Sequence, residues 1–284
     1  MTEIVSSLMA PSPRRPASLL WLGLSLSIFM MGLALIGPYA LTVDPNKQTL
    51  AKAFSGPSAD YLLGADQLGR SVAARIVAGA RVSLGLAFIG MLAAIISGAI
   101  CGMVSAWREG AVCALILRLA DIVIAYPTML FVILVSGLFG GGVIPIVIGL
   151  CLAQWPKFTR LSYVVARQEL SADHVEAARL LGFPATYILR RHVLPGMLPY
   201  LASAGALTLG ANVLTISTIG FLGVGLRPPT AEWGAMIAES ISYIRTAPHI
   251  VIAPAVALLI STLAATMVGE SIAAPVFSEN EITQ

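Results

Sequence analysis

Apolar residues run along this chain in six long stretches, at about Leu19–Leu41, Val82–Ala106, Cys113–Phe139, Val143–Val165, Pro199–Phe221 and Ile250–Val268. A bilayer core about 30 Å thick is crossed by a helix of roughly 20 mainly apolar residues, so each stretch predicts one transmembrane helix. The first is too long for the core of a signal peptide and no small-residue cleavage pattern follows it, so it is expected to be retained. The pattern divides the chain into a tail 1–18, a first span 19–41, a polar segment 42–81, a five-helix core 82–272 interrupted by a polar island at 166–198, and a tail 273–284. The expected fold class is an all-α integral membrane protein with about six spans.

Composition changes the picture little but excludes several functions. With 57% hydrophobic and 11% charged residues in 284, the apolar surface exceeds what a soluble core could hide, and lipid must be part of the solvent. A net charge of +3 and the lack of basic–aromatic alternation argue against nucleic acid. Cys101, Cys113 and Cys151 lie in apolar segments without metal-ligand spacing and read as small buried hydrophobes, so neither metal nor cofactor is expected. With the N-terminus cytoplasmic, ten of the seventeen basic residues fall on the inner side, Lys157 among them, which places both termini and the island inside. Arg70, Arg75 and Arg81 fall outside, where an interfacial helix before the second span would hold them.

The island contains DHVEAARLLGFPATYILRRHVLP, residues 173–195. Asp173 and Glu176 have the spacing of a capping-box variant that would start a short helix. Gly182 is its natural stop, and Pro184 suits the first turn of a second helix ending at Leu194-Pro195. Val175, Ala178 and Leu181 can share one face, while small Ala177 and Ala178 would let a partner's backbone approach. From spacing alone, an ordinary solvated loop with local helix and a docking hairpin are both open.

EAARLLGFPATYILRRHVLP resembles the EAA loop of bacterial ABC-importer permeases, and the likeness extends to LGADQLGRSVAARIVAGARVSL (63–84), RLADIVIAYPTMLFVIL (118–134) and GFLGVGLRPPTAEWGAMIAES (220–240). Together these are similar to the C-type permease subunits of the dipeptide, oligopeptide and nickel family. The resemblance implies a type I importer permease fold in the bacterial inner membrane, with 173–182 as a coupling helix docked in a groove of an ATPase. Asp173, Glu176, Ala177, Ala178, Arg179, Gly182 and Pro195 would carry that contact. It also implies a second permease subunit in a heterodimer, one or two ATPase subunits and an extracytoplasmic solute-binding protein. Where the family ends its last span in a basic and acidic run, this chain has TMVGESIAAPVFS, keeping Gly269 and Glu270.

The chain holds no engine of its own: a phosphate-binding loop needs Gly-Lys-Ser/Thr, and the lysines occur as NKQ, AKA and PKF. A secondary transporter or channel would place ionisable groups at mid-membrane, where the stretches have few; Arg118 and Asp121 can pair on one helix face instead. A membrane enzyme is disfavoured by scattered His174, His192 and His249 and by the lack of a catalytic triad order or H-E-x-x-H. Asp66 and Arg70, flanking Gly69, could brace an outer lip where a binding protein docks. In 220–240 the glycines and paired prolines break helix, and Trp233 suits a membrane interface. On the fifth span Asn212, Thr215, Ser217 and Thr218 are the chief polar candidates for a translocation path. The cargo, whether short peptide, nickel complex or another small solute, is left open.

Overall fold

The computed structural model describes residues 17–41, 43–59 and 61–278, so the expected tails fall largely outside the described residues. Its described residues are helical, with no named strand among them. In chain order the helices are α1 (Ala17–Leu35), α2 (Gly37–Ala40), α3 (Val72–Trp107), α4 (Ala111–Ile124), α5 (Thr128–Leu138), α6 (Val143–Leu170), α7 (Asp173–Leu180), α8 (Ala185–Ile188), α9 (Leu194–Phe221), α10 (Trp233–Ser240) and α11 (His249–Ser278).

Among the described residues, four helical stretches are long and apolar enough to cross a membrane: 18–35, 72–107, 185–221 and 249–273. The expected third span is broken. Its halves α4 and α5 meet at 89°, and Pro127 explains the break, because it has no N–H to donate and disfavours helix at the residue before it. As a pair they make a fifth crossing by length and composition. The expected fourth span, α6, is 28 residues long but falls short in hydropathy, since Gln154, Lys157 and Arg160 interrupt its apolar run. Lys157 therefore lies midway along a helix rather than at a cytoplasmic end.

Two further boundaries move. The second span begins not at Val82 but at Val72, where the Ser71 hydroxyl caps the helix by accepting from the Ala74 N–H. At 1.5 Å per residue a 36-residue helix is about 54 Å long, longer than a bilayer core is thick, and its first three turns carry Arg75 and Arg81. Among the described residues no separate interfacial helix holds them. The island's second helix does not stop at Leu194-Pro195: α8 passes through a π-helical turn at Leu189–Val193 straight into α9. Pro195 is tolerated there because it sits in the first turn of α9.

The core has two parts. Away from the island, Val72, Ile76, Ile146, Leu150, Ile216 and Trp233 pack together; at the island end, Ala99, Phe158, Ala166, Val175, Ile188 and Met197 do so. α3 against α6 links them. Gly98 and Gly102, one turn apart, let α3 lie directly on the α6 backbone: a Cβ on Gly98 would come 2.5 Å from the Phe158 Cβ and 2.7 Å from the Trp155 carbonyl oxygen. Trp233 is fully buried with its indole N–H donating to the Ile76 carbonyl at 3.1 Å, so it is a core residue and not an interfacial anchor. Asp121 pairs with Arg160 of α6 rather than with Arg118. All three cysteines are free, and each is only partly buried.

Candidate functional site

The island folds into a short rigid helix ending in a tight turn. Asp173 is the first residue of α7 rather than its cap; that place belongs to Ala172, whose carbonyl accepts from the Val175 and Glu176 N–H groups at 2.9 and 3.2 Å. No side chain caps the helix, so the expected capping box is not formed. Asp173 and Glu176 instead place two carboxylates in the first turn, where the helix dipole favours them. At the other end Gly182 has φ +80°, and the Gly182 and Phe183 N–H groups donate to the Arg179 and Ala178 carbonyls at 3.0 and 3.2 Å. This is the paired hydrogen-bond pattern of a Schellman closure, which needs a residue tolerant of left-handed φ.

Two faces of α7 differ in kind. Val175 and Ala178 are buried in the island-end core, as their spacing predicted. Leu181, expected beside them, is 77% exposed, because the helix closes before it. With Leu180, Phe183 and Tyr187 it forms an uncovered apolar patch, in which the Phe183 and Tyr187 rings stack at 4.6 Å. Glu176 and Ala177 are exposed beside it. The Arg179 guanidinium lies 5.0 Å from the centre of the Trp107 ring, a cation–π contact that ties α7 to the end of α3.

At the opposite end Asp66, Gly69 and Arg70 do come together, in a tight turn rather than along a helix. Asp66 Oδ1 accepts from the Leu68 and Arg70 N–H groups, both at 2.9 Å, and Oδ2 accepts from Arg70 Nε at 2.5 Å. Gly69, at φ +70°, has no room for a side chain, since a Cβ would strike the Thr49 carbonyl. Two partners were missed from the sequence. Arg70 and Arg75 both donate to Glu239 Oε2 of α10, at 2.7 and 3.3 Å, and Arg75 is 1% exposed. Glu239 is 169 residues from Arg70, so no local spacing could reveal the pair. The result is a charge-balanced clamp of Asp66, Arg70, Arg75 and Glu239 fastening the segment before α3 to α10.

Glu232 was also missed. It caps α10 by accepting from the Gly234 and Ala235 N–H groups, both at 2.8 Å, and takes hydrogen bonds from Ser217 of α9 at 3.0 Å and Ser83 of α3 at 3.3 Å. Burial pushes its carboxyl above the ordinary range, and these four bonds act against that rise. Among the expected path residues, Ser217 is thus committed to the interior. So is Asn212, which donates to the Ala87 carbonyl at 3.1 Å and accepts from Gln154. Thr215 and Thr218 lie on the outer side of α9, each bonded to its own helix, at the Ala211 and Leu214 carbonyls. The four therefore do not share one face.

Breaking a buried charge group leaves its partners uncompensated, at a cost of about 3–5 kcal/mol. Asp66→Ala is accordingly expected to lower the thermal unfolding temperature of the detergent-purified protein sharply. Asp66→Asn, which retains an acceptor for the turn, should lower it less. Unfolding of both at the wild-type temperature would show that the clamp is not structural.

The family described as "Binding-protein-dependent transport system inner membrane component" matches residues 90–275. Among curated proteins, the di/tripeptide transport system permease protein DppC of Pseudomonas aeruginosa is 32% identical over 256 residues, covering 88% of this chain and 84% of that protein. The metal-staphylopine import system permease protein CntC of Staphylococcus aureus is 32% identical over 251 residues, 88% and 87%. The glutathione transport system permease protein GsiD of Pectobacterium atrosepticum is 31% identical over 220 residues, 76% and 72%. Among solved structures, an inward-facing MetNI methionine ABC transporter chain aligns with TM-score 0.57 at 19% identity, over 71% of this chain and 95% of that one, a likeness of fold.

Proposed function

The chain belongs to the family of binding-protein-dependent transport system inner membrane components, the permeases of ABC importers, and we propose that it moves di- or oligopeptides as one half of a heterodimer. It is a multi-pass inner-membrane protein that transports a small solute. Its partners are an ATPase and a solute-binding protein, proposed here as one or two ATPase subunits inside and the binding protein outside. Six crossings, counting α6 and the bent α4–α5 pair, would leave both termini on one side, and the excess of basic residues favours the cytoplasm as that side.

The observation that carries the coupling role is α7, a helix of eight residues closed at Gly182 and set on the core by Val175 and Ala178. Such a unit can transmit force without bending, and its exposed Leu180, Leu181, Phe183 and Tyr187 offer an apolar centre for docking. Asp173, Glu176, Ala177 and Arg179 would form the rim of that interface, following the usual division into apolar core and polar edge. Pro195 marks where the lever joins α9. Closure of the ATPases on ATP would then rock α9 and α6, shifting a two-state balance that a loaded binding protein also biases. Asp66, Gly69 and Arg70, with the clamp they build, would form the outer lip, and Thr215 and Thr218 are the better placed of the path candidates.

The test is reconstitution. The chain alone is expected to hydrolyse no ATP, for want of a Gly-Lys-Ser/Thr loop; with its permease partner, ATPases and loaded binding protein it should take up labelled dialanine in an ATP-dependent manner. Hydrolysis by the isolated, contaminant-free chain would overturn the permease assignment. Uptake of nickel chelate but not dialanine would overturn the peptide cargo alone.

A further inference from the structure

Beside the break between α4 and α5 lies a cavity of about 440 Å³, lined by Tyr126, Thr128, Gln154, Lys157 and Arg160. Sites for small molecules commonly span about 300–1,000 Å³, so the space suits part of a small solute. Three independent features give it a chemical character. Tyr126 and Thr128 flank Pro127, so the N-terminus of the 11-residue helix α5 reaches the cavity wall. The first N–H groups of a helix have no partner within it and favour an anion.

The second feature is charge. Arg160 is paired with Asp121, which leaves Lys157 as the net positive charge of the cavity. The Lys157 ammonium donates once, to Thr208 Oγ1 at 3.2 Å, and an ammonium has three donors. Among the described residues no carboxylate pairs with it. An ionisable side chain midway along a membrane helix is costly and is ordinarily kept for a ligand or pathway.

The third feature is Gln154, 8% exposed, whose Oε1 is buried without a hydrogen-bond partner. Its Nε2 donates to Asn212, and Asn212 Nδ2 donates onward to the Ala87 carbonyl. That chain fixes which way both amides face, so the free group is an acceptor, carried by a side chain that lines the cavity wall.

A carboxylate with an N–H close by meets all three demands at once. We propose that the cavity is a way station for the free carboxylate end of the cargo, held by Lys157 and the α5 N-terminus, with Gln154 Oε1 accepting the neighbouring amide N–H. The assignment of the carboxylate to cargo rests on the peptide reading above; the anion site itself does not.

The experiment is saturation-transfer NMR on the assembled importer without binding protein, in phosphatidylcholine nanodiscs, using N-acetyl-L-alanine and its primary amide as probes. The acid is expected to give a transfer signal and the amide little. Lys157→Gln should weaken the acid's binding by about tenfold or more, the loss that follows removal of a charge-assisted hydrogen bond, and Lys157→Arg should largely retain it. Equal signals from acid and amide, silence from both, or an unchanged Lys157→Gln would each overturn the site. If Lys157→Gln fails to assemble, the acid–amide comparison on the wild type still decides. Loss of the acid signal when phosphatidylglycerol is added would assign the site to a lipid phosphate and overturn the cargo reading. No transport cycle is involved, so failure here is distinct from failure of dialanine uptake.

Discussion

Gly182→Val is expected to leave the protein inserted and assembled while removing most of its coupled uptake. Gly182 sits at φ +80° with nothing within 4 Å of where a Cβ would stand, so a side chain has room and the cost lies wholly in the backbone. Left-handed φ costs an ordinary L-residue about 1–2 kcal/mol, with β-branched residues the worst suited. The turn would escape by abandoning the hydrogen bonds from the Gly182 and Phe183 N–H groups to Arg179 and Ala178. That redirects Phe183 and Tyr187 relative to Leu180 and Leu181, which lie on either side of the glycine. The energy is too small to unfold a membrane bundle, yet it acts where a lever changes direction. Gly182→Asn, which tolerates this conformation better, should retain more uptake than Gly182→Val. Glu176→Lys should have a lesser effect, because without a capping box its loss reduces to a dipole contribution of about 0.3–1 kcal/mol and a rim charge. Uptake and ATP hydrolysis, measured in reconstituted complexes at matched protein levels, decide the matter. Full coupling in Gly182→Val would reduce the segment to a solvated loop.

Much of this was legible because the physics concerned is local. Apolar stretches announce helices wherever lipid or core surrounds them, and Gly182 announces a helix end because so few residues can take its φ. Asp66 and Arg70 are four apart and meet. What stayed hidden depends on partners remote in sequence. Arg75 looks like a surface cation until Glu239 is brought beside it, and Trp233 looks interfacial until Ile76 offers a carbonyl. Leu181 misled because a helical face was extended one residue past the turn that ends the helix. The apolar run 113–139 conceals a bend of 89°, since hydropathy registers that Tyr126 and Pro127 are tolerable in a span and not that Pro127 redirects it. The family likeness supplied the functional reading of the island, whereas the cavity at Lys157 emerged only once α4, α5 and α6 were brought together.

The joint between α3 and α6 should be the least forgiving place in the molecule, and Gly98→Val and Gly102→Val are expected to abolish recovery of folded protein. At Gly98 the obstacles to a side chain include the Trp155 carbonyl oxygen at 2.7 Å and the Thr159 nitrogen at 2.9 Å; at Gly102 they include the Thr159 carbonyl oxygen at 2.6 Å. These are backbone atoms of a helix, so no rotamer change can clear them and the two helices must part. Overpacking ordinarily costs about 1–3 kcal/mol per site, and the separation would also loosen Phe158, which is fully buried. Without a hydrophobic drive between helices in lipid, close contact of this kind supplies much of what holds them together. Gly85 provides the control: it lies on the same helix, has nothing within 4 Å, and carries the same intrinsic cost when replaced by valine. Gly85→Val should elute from size-exclusion chromatography in detergent as the wild type does and unfold at a similar temperature, while the other two yield aggregate or nothing. If all three behave alike, helix propensity and not the α3–α6 approach governs the fold. If Gly98→Val and Gly102→Val fail alone, the close α3–α6 approach is what holds the two parts of the core together.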